Sequence, residues 1–281
     1  FTPTGMAASY RKEPPMKKAI RFSGFFVVLM LLVLLAPNAL AVGEIDVTTA
    51  QQGYFTVNYN GDANIRMKVG VSFGTSTTYY DYVAGTSSSY PFLSGNGSYH
   101  ITLYRNTSGT SYKKVVTAAA DVKMVDLLAP YRASTADITF AADDIVGLTA
   151  AAVVEGRDTV SGKAAAIYNY ISSNFTYDYE LAARINRGEK HKSVAGTILA
   201  AKKGICNDLA TAYAAMCRSQ GIVCKVTKGY MDGQYHAWNQ VYDNGIWYTV
   251  DTTYGIAYRT SNAQNLSDCV SPMGYSAIAS W

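Results

Sequence analysis

The stretch "KKGICNDLATAYAAMCRSQGI", residues 202–222, decides the fold of the second half of the chain. Gly204 permits a sharp turn, and apolar residues recur at helical spacing after it until Gly221 ends the pattern. Four of them share one face of the expected helix: Leu209, Tyr213, Met216 and Cys217. The pattern therefore predicts a helix that runs to about Gln220 and begins at or beside Cys206.

A cysteine at the first turn of a helix is placed for chemistry. The backbone N–H groups there have no partner within the helix, and together with the helix dipole they favour an anion, which makes Cys206 a candidate nucleophile. The same groups, above all the N–H of Cys206 and then that of Asn207, are placed to hold the oxyanion of a tetrahedral intermediate. An average cysteine is a buried hydrophobic residue, so the assignment of Cys206 as a nucleophile depends on a base and an orienting group elsewhere in the chain.

Three strand-like runs follow the helix, and they supply those partners. The runs are "VCKVTKGYM" (223–231), "YHAWNQVY" (235–242) and "IWYTVD" (246–251). "DNG" at 243–245 predicts a hairpin between the last two, and the open ends of a hairpin meet, which brings His236 towards Asp251. An imidazole held by a carboxylate and facing the thiol of Cys206 is the arrangement that nucleophilic acyl transfer requires.

The other two histidines are weaker candidates for a base. His191 lies in the polar run "RGEKHKS", which indicates a solvated loop, and His100 alternates with apolar neighbours on the outward face of a strand. No Cys-x-x-Cys pair occurs and the histidines are scattered, so we expect neither a zinc site nor a cofactor.

Two quoted segments resemble a known family. "GICNDLATAYAAMCRSQGI" (204–222) and "GYMDGQYHAWNQVYDNGIWYTVDTTYG" (229–255) are similar to the core of the transglutaminase-like superfamily, a branch of the papain-like cysteine enzymes. The resemblance covers about residues 160–260 and rests on three separated motifs that agree in spacing. It implies an α+β catalytic domain with a helical N-terminal part and an antiparallel sheet.

The resemblance also implies roles for individual residues. Cys206 would be the nucleophile, His236 the general base and acid, and Asp251 the group that orients the imidazole. Asn207, instead of Trp, follows the nucleophile, and no acidic calcium loop is visible, so the sequence departs from the calcium-dependent animal transglutaminases. Protein crosslinking is therefore not carried over.

Three aromatic residues are candidates for substrate binding. Family members often carry a segment like "FTYDYE" (175–180) beside the cleft, which points to Tyr177. Trp238 follows His236 by two residues on the same strand face, where it either covers the imidazole or packs in the core. Tyr254 comes soon after the third strand and would line the cleft.

The region upstream of the helix predicts the rest of the catalytic domain, which we place at 127–281. Pro130 ends a strand rhythm, and two helical patterns follow, one opened by Ser161 as a cap and one with Ser193 as a possible cap. Helices that precede an antiparallel sheet are typical of an α+β domain.

Residues 42–126 predict a small all-β accessory domain, similar to a sandwich. Apolar residues alternate with polar ones in "NIRMKVGVSFG" (64–74), "GYFTVNYNGD" (53–62) and "GSYHITLYRN" (97–106), and Gly- and Asn-containing breakers separate the runs. Its tyrosines and phenylalanines either pack the sheets or form a surface for carbohydrate or peptide.

The first 41 residues differ from the rest. Lysines and an arginine precede the apolar run "FFVVLMLLVLLA" (25–36), and small residues at positions 39 and 41 follow, which predicts a secretory signal peptide at 16–41. Residues 1–15 are then an upstream or artificially added segment without a structural role. An uncleaved anchor helix is the alternative to the signal peptide. We therefore expect a secreted or cell-surface protein that meets the membrane only through this segment.

The net charge argues against nucleic acid as a partner. The chain carries 24 basic and 20 acidic residues, but five basic and one acidic residue fall in the first 41, and the remainder is neutral. No stripe of Lys and Arg suits a phosphate backbone. The partner expected instead is a peptide, protein or peptidoglycan substrate.

The predicted reaction is acyl transfer from an amide through a Cys206 thioester, with water making the protein a peptidase or amidase. An amine acceptor would make it a transglutaminase, and loss of catalysis would leave a binding or scaffold module. The pairing of the other cysteines stays open: Cys217 could bridge Cys224, and Cys269 could pair with either.

Overall fold

The computed structural model describes residues 43–281. The predicted upstream segment (1–15) and signal peptide (16–41) lie outside the described residues. Within 43–281 no helix has the length and apolar character that crossing a membrane requires. The predicted boundary at 126/127 falls inside one unit that extends to Trp281, so it stays a prediction.

Strands dominate the first half of this region and helices open the second. The strands are β1 (Glu44–Asp46), β2 (Tyr54–Asn58), β3 (Met67–Phe73), β4 (Ser76–Tyr82), β5 (Ser87–Pro91), β6 (Gly97–Ser108), β7 (Ser111–Val122), β8 (Thr176–Tyr177), β9 (Lys203–Gly204), β10 (Cys224–Met231), β11 (Gln234–Asp243), β12 (Ile246–Val250) and β13 (Tyr275–Ser280). The α-helices are α1 (Ile145–Val153), α2 (Val160–Asn174), α3 (Tyr179–Asn186), α4 (Ala195–Ala201), α5 (Cys206–Ser219) and α6 (Thr252–Tyr258). Short 3-10 helices occur at Ala50–Gln52, Ala129–Tyr131 and Leu266–Cys269.

The first half is an all-β structure with two antiparallel sheets. One sheet has the order β1-β2-β5 and the other β4-β3-β6-β7, and residues of both contribute to one hydrophobic core. The predicted alternation holds, because Tyr99, Ile101 and Leu103 are buried while His100, between the first two, is exposed. Of the ten aromatic residues from Tyr54 to Tyr99 that we considered for a binding surface, five are buried, among them Tyr90 and Tyr99. Three more are partly buried against the same core.

The second half has its own core, built from helices and the sheet β12-β11-β10-β13. All neighbouring strands in this sheet are antiparallel. Helix α5 lies at the centre, and every side chain from Asp208 to Arg218 is buried. Helices followed by an antiparallel sheet confirm the predicted α+β class.

The predicted helix caps were wrong in detail. Thr159, not Ser161, caps α2, and its hydroxyl accepts a hydrogen bond from the Gly162 N–H at 3.0 Å. Ser161 lies inside the helix and accepts from the Leu266 N–H at 2.8 Å. Ser193 does not cap α4 either, because the N-cap position belongs to Val194.

All four cysteines are reduced thiols in this structure. Cys217, Cys224 and Cys269 are buried, and burial raises the pKa of Cys217, whose thiol also contacts that of Cys224. Cys206 alone is half-buried. A disulfide in the native compartment stays a prediction.

Candidate active site

The turn before α5 fixes the position of Cys206. Strand β9 pairs in parallel with β8, and the Asp178 N–H donates to the Gly204 carbonyl at 3.0 Å. A Cβ atom at Gly204 would lie 2.6 Å from the Cβ of Asp208, so only glycine fits against the first turn of α5. With Ile205 as N-cap, Cys206 is the first residue of the helix, as predicted from the sequence.

The hairpin brings His236 and Asp251 together. Asn244 and Gly245 both adopt positive φ, as a two-residue turn between β11 and β12 requires, and Asn239 pairs with Val250 near the open end. The Nε2 atom of His236 lies 2.8 Å from Oδ2 of Asp251. The imidazole is 7% exposed and the carboxylate 0%.

Asp251 is held by four hydrogen bonds, counting the one to His236. It is the N-cap of α6, and its Oδ1 accepts from the Thr253 N–H at 2.9 Å and the Tyr254 N–H at 3.0 Å. The hydroxyl of Tyr275 donates to Oδ2 at 2.8 Å. A buried carboxylate with this many donors is fixed in orientation and in turn fixes the imidazole.

The thiol of Cys206 lies close enough to the imidazole to act on its pKa. Burial alone would lower the pKa of His236, but hydrogen bonding to Asp251 and to Cys206 outweighs burial and raises it to about 9. The raised pKa favours the imidazolium once the ring has accepted a proton, and the imidazolium is the state needed to protonate a departing amine.

Tyr177 lies beside the nucleophile. Its hydroxyl faces the backbone N–H of Cys206, and burial together with the nearby Cys206 raises its pKa to about 12. Tyr177 therefore keeps its proton at neutral pH. Of the three aromatic residues considered for substrate binding, this one lines the cleft.

Trp238 and Tyr254 do not line the cleft. The ring of Trp238 stacks near the imidazole, with centroids 6.3 Å apart, but it is 2% exposed and also packs against Tyr275 at 4.9 Å. Tyr254 packs against Tyr258 at 4.4 Å. Neither ring lines the cleft, so packing of the site, not contact with substrate, is the role that their positions support.

The side chain of Asn207 points away from the nucleophile. Its Nδ2 donates to the Ser193 hydroxyl at 2.6 Å. Only its backbone N–H, in the first turn of α5, is left for the oxyanion role considered above.

A second cluster beside α5 was missed from the sequence. Asp208 is 1% exposed and accepts from the Ile205 N–H at 3.1 Å and the Ser193 hydroxyl at 2.5 Å. His191, expected to be solvated, lies in a loop but places Nε2 2.7 Å from Oδ1 of Asp208. The Asp two residues after the nucleophile was the available signal, since a carboxylate in the first helical turn caps and attracts donors.

The cleft beside Cys206 and His236 has a volume of about 870 Å³ and is open on one side. Its other walls come from the end of α2, from β8, from the β10–β11 turn and from α6 with the residues after it: Ser172, Ser173, Phe175, Thr176, Tyr177, Tyr179, Met231, Gln234, Tyr235, Thr253, Ile256, Ala257, Arg259 and Ser261. A cleft of this size accepts several residues of a peptide. In the part of the chain that the structure describes, no cluster of His, Cys, Asp or Glu is suited to a metal ion.

Comparison with protein families gives one domain match. Residues 148–252 match the model of the transglutaminase-like superfamily. This range contains Cys206, His236 and Asp251 and lies within 127–281.

Individual proteins share parts of the chain. The kyphoscoliosis peptidases of Mus musculus and Homo sapiens are 33% and 32% identical to it over 102 residues, which is 32% of this chain and 15% of theirs. The chain thus spans a small part of the curated relatives that it matches. A Cytophaga hutchinsonii structure described as a "Putative Cysteine Protease" has a TM-score of 0.41 at 16% identity, over 81% of this chain and 83% of that one.

Proposed function

Because residues 148–252 form a transglutaminase-like superfamily domain, we propose that the protein is a cysteine-dependent enzyme that cleaves amide bonds in peptides by acyl transfer. The observation that carries the proposal is the hydrogen-bonded pair of Asp251 and His236 with the thiol of Cys206 close to the ring, beside an open cleft. The orienting group Asp251, the base His236 and the nucleophile Cys206 thus form the arrangement that acyl transfer needs.

In the first step the Cys206 thiol passes its proton to His236, and the sulfur attacks the carbonyl carbon of a bound amide. A C–S bond forms, and the C=O electron pair moves onto the oxygen. The backbone N–H of Cys206, in the first turn of α5, donates to that oxyanion. The neutral hydroxyl of Tyr177 lies beside this N–H and is a second candidate donor.

In the second step the intermediate collapses. The C–N bond breaks, His236 gives its proton to the nitrogen, and an amine leaves a thioester on Cys206. The raised pKa of His236 supports this step, because the imidazole holds the proton until the nitrogen needs it.

In the third step water attacks the thioester while His236 takes one of its protons, and the proton then returns to the sulfur as the acid product leaves. We favour water as the acceptor over an amine. The name of the relatives, kyphoscoliosis peptidase, supports hydrolysis as the reaction of this domain type. A transglutaminase, or a binding module that has lost catalysis, is the competing hypothesis.

We further propose that the substrate is met outside the cytoplasm, as a peptide, a protein or the peptide part of the cell wall. This rests on the signal-like order of residues 16–41, which lie outside the described structure. The N-terminus of the mature protein, sequenced from culture medium or a cell-surface fraction, tests it: a start near position 42 is expected.

The reaction is tested by incubating residues 42–281 with peptide and peptidoglycan mixtures, with and without a primary amine, followed by mass spectrometry. New fragments that carry the mass of one water support hydrolysis, and products that carry the amine support transfer. The Cys206→Ala variant must produce neither.

A thiol-directed alkylating agent separates the enzyme from the module without catalysis. Cys206 should react fast at neutral pH, and the buried Cys217, Cys224 and Cys269 serve as internal controls. If Cys206 is labelled slowly, and the His236→Ala variant is labelled at the same rate, the protein is a module without catalysis.

A further inference from the structure

The cleft has an uneven distribution of charge. Among the described residues that line it, only His236 and Arg259 carry ionisable cationic groups, and no Asp or Glu side chain faces it. Asp251 is fully buried behind the imidazole. The cleft therefore presents positive charge to whatever binds there.

Arg259 has no partner within the described residues. The ion pairs among the described residues include two arginines, Arg132 and Arg184, but not Arg259. The guanidinium of Arg259 also makes no side-chain hydrogen bond to any described residue. The residue is exposed, so all five of its N–H donors are available to a ligand.

The backbone that carries Arg259 is nevertheless well anchored. Arg259 ends α6 in the left-handed region, at φ 54°, with its N–H bonded to the Gly255 carbonyl. The next residue, Thr260, pairs its hydroxyl with that of the buried Tyr168 on α2 at 2.6 Å. The base of the Arg259 side chain is therefore held against the core of the domain.

Helix α6 sets the distance between Arg259 and Asp251, the carboxylate that is bonded to the catalytic imidazole. Asp251 is its N-cap and Arg259 its C-cap, so the two Cα atoms lie about 12 Å apart at 1.5 Å per residue. An extended peptide covers this distance in about three to four residues. A group bound by Arg259 would thus belong to the same peptide as the amide at Cys206, a few residues away.

We propose that Arg259 selects peptide substrates that carry a carboxylate about two to four residues from the cleaved amide. A guanidinium binds a carboxylate through two parallel hydrogen bonds, which neutral or cationic side chains do not provide. The inference names a substrate class for the proposed acyl-transfer site and rests on that function.

Binding to the inactive Cys206→Ala protein tests this without turnover. The probes are decapeptides of one neutral sequence in which a single Glu is moved along the chain, each matched by its Gln counterpart, measured by calorimetry. Glu should bind about tenfold more tightly than Gln at a restricted set of positions, and added salt should reduce the difference.

The variants decide whether Arg259 is responsible. Arg259→Gln in the Cys206→Ala background should abolish the preference, Arg259→Lys should retain part of it, and Arg259→Glu should shift it to peptides with Lys. Arg187→Gln is the matched control, because Arg187 is also an exposed C-cap arginine but lies outside the cleft. It should change nothing.

Equal binding of Glu and Gln peptides at every position, or a preference that survives Arg259→Gln, overturns the proposal. Failure of the acyl-transfer function gives a different result: the protein with Cys206 intact would turn over none of these peptides, while the Glu preference in binding would remain.

Discussion

The domain contains two histidine–aspartate pairs with almost the same separation and different surroundings. His236 and Asp251 are 2.8 Å apart, and His191 and Asp208 are 2.7 Å apart. In the first pair the ring of His236 is nearly buried and the thiol of Cys206 lies close to it. In the second pair the His191 side chain is 28% exposed. The carboxylate of Asp208 also accepts hydrogen bonds from the Ser193 hydroxyl and the Ile205 N–H.

The difference shows that a short distance between a histidine and an aspartate is not enough to identify the histidine as a catalytic base. Asp251 uses its donors to hold one imidazole against Cys206. The hydrogen bonds of Asp208 connect the loop that carries His191 to the first turn of α5. Asp208 therefore stabilises the helix start at which Cys206 lies. We refer to them as the catalytic pair and the supporting pair.

Replacement of the two histidines gives the largest expected contrast. His236→Ala should lower kcat/KM by about 10³-fold, because it removes both the base and the acid. His191→Gln should lower it by less than about tenfold, because it removes one hydrogen bond from Asp208. Hydrolysis of a peptide substrate measures both, and equal losses would contradict the assignment of the two pairs.

Replacement of the two aspartates separates catalysis from support. Asp251→Asn should reduce kcat by about 10²- to 10³-fold, since it disturbs the orientation of the imidazole. Asp208→Asn should act mainly on the free energy of unfolding, lowering it by about 1–3 kcal/mol, because buried donors lose a charged acceptor. Urea denaturation and kinetics of the same samples check both, and a loss of kcat for Asp208→Asn as large as that for Asp251→Asn would contradict the distinction between the two pairs.

The pH dependence should identify His236 as the acid. Its pKa of about 9 predicts that amide turnover falls roughly tenfold by pH 10, while alkylation of Cys206, which needs no acid, continues. Because this pKa is raised in the folded state, the stability that His236 provides is complete below pH 6.5 and is lost as pH rises through about 9. A turnover profile that stays flat to pH 10 would remove His236 from the acid role.

Tyr275 offers a smaller test of the catalytic pair. Tyr275→Phe removes one of the hydrogen bonds to Asp251 and should reduce kcat about threefold with little change in KM. Tyr258→Phe is the control, because Tyr258 lies on α6 with an exposed ring and its hydroxyl bonds to none of the described residues. The split between kcat and KM distinguishes positioning from substrate contact.

Local patterns made much of this architecture predictable. The alternation of β3 and β6, the helix beginning at Cys206 and the Asn-Gly hairpin are each encoded within a few residues, and the hairpin brings His236 to Asp251. The resemblance to a family covered the same segments and the α+β class.

Contacts between distant segments could not be predicted in the same way. Tyr275 reaches Asp251 only because β13 pairs with β10 on the far edge of the sheet, and no motif near residue 275 signals that pairing. The bond between His191 and Asp208 depends likewise on how a polar loop folds over a helix end. Trp238 was ambiguous because a strand face does not reveal what covers it, and β13 supplies the cover through Tyr275.

Helix α5 carries a reactive thiol at its first residue and a silent one, Cys217, in its buried last turns. Every side chain from Asp208 to Cys217 is buried, so we expect Cys206 to lose its alignment when the helix leaves the core. On heating, the thiol of Cys217 should become accessible at the temperature at which Cys206 loses its fast labelling. The two sulfurs of one helix thus report inactivation and melting as a single event.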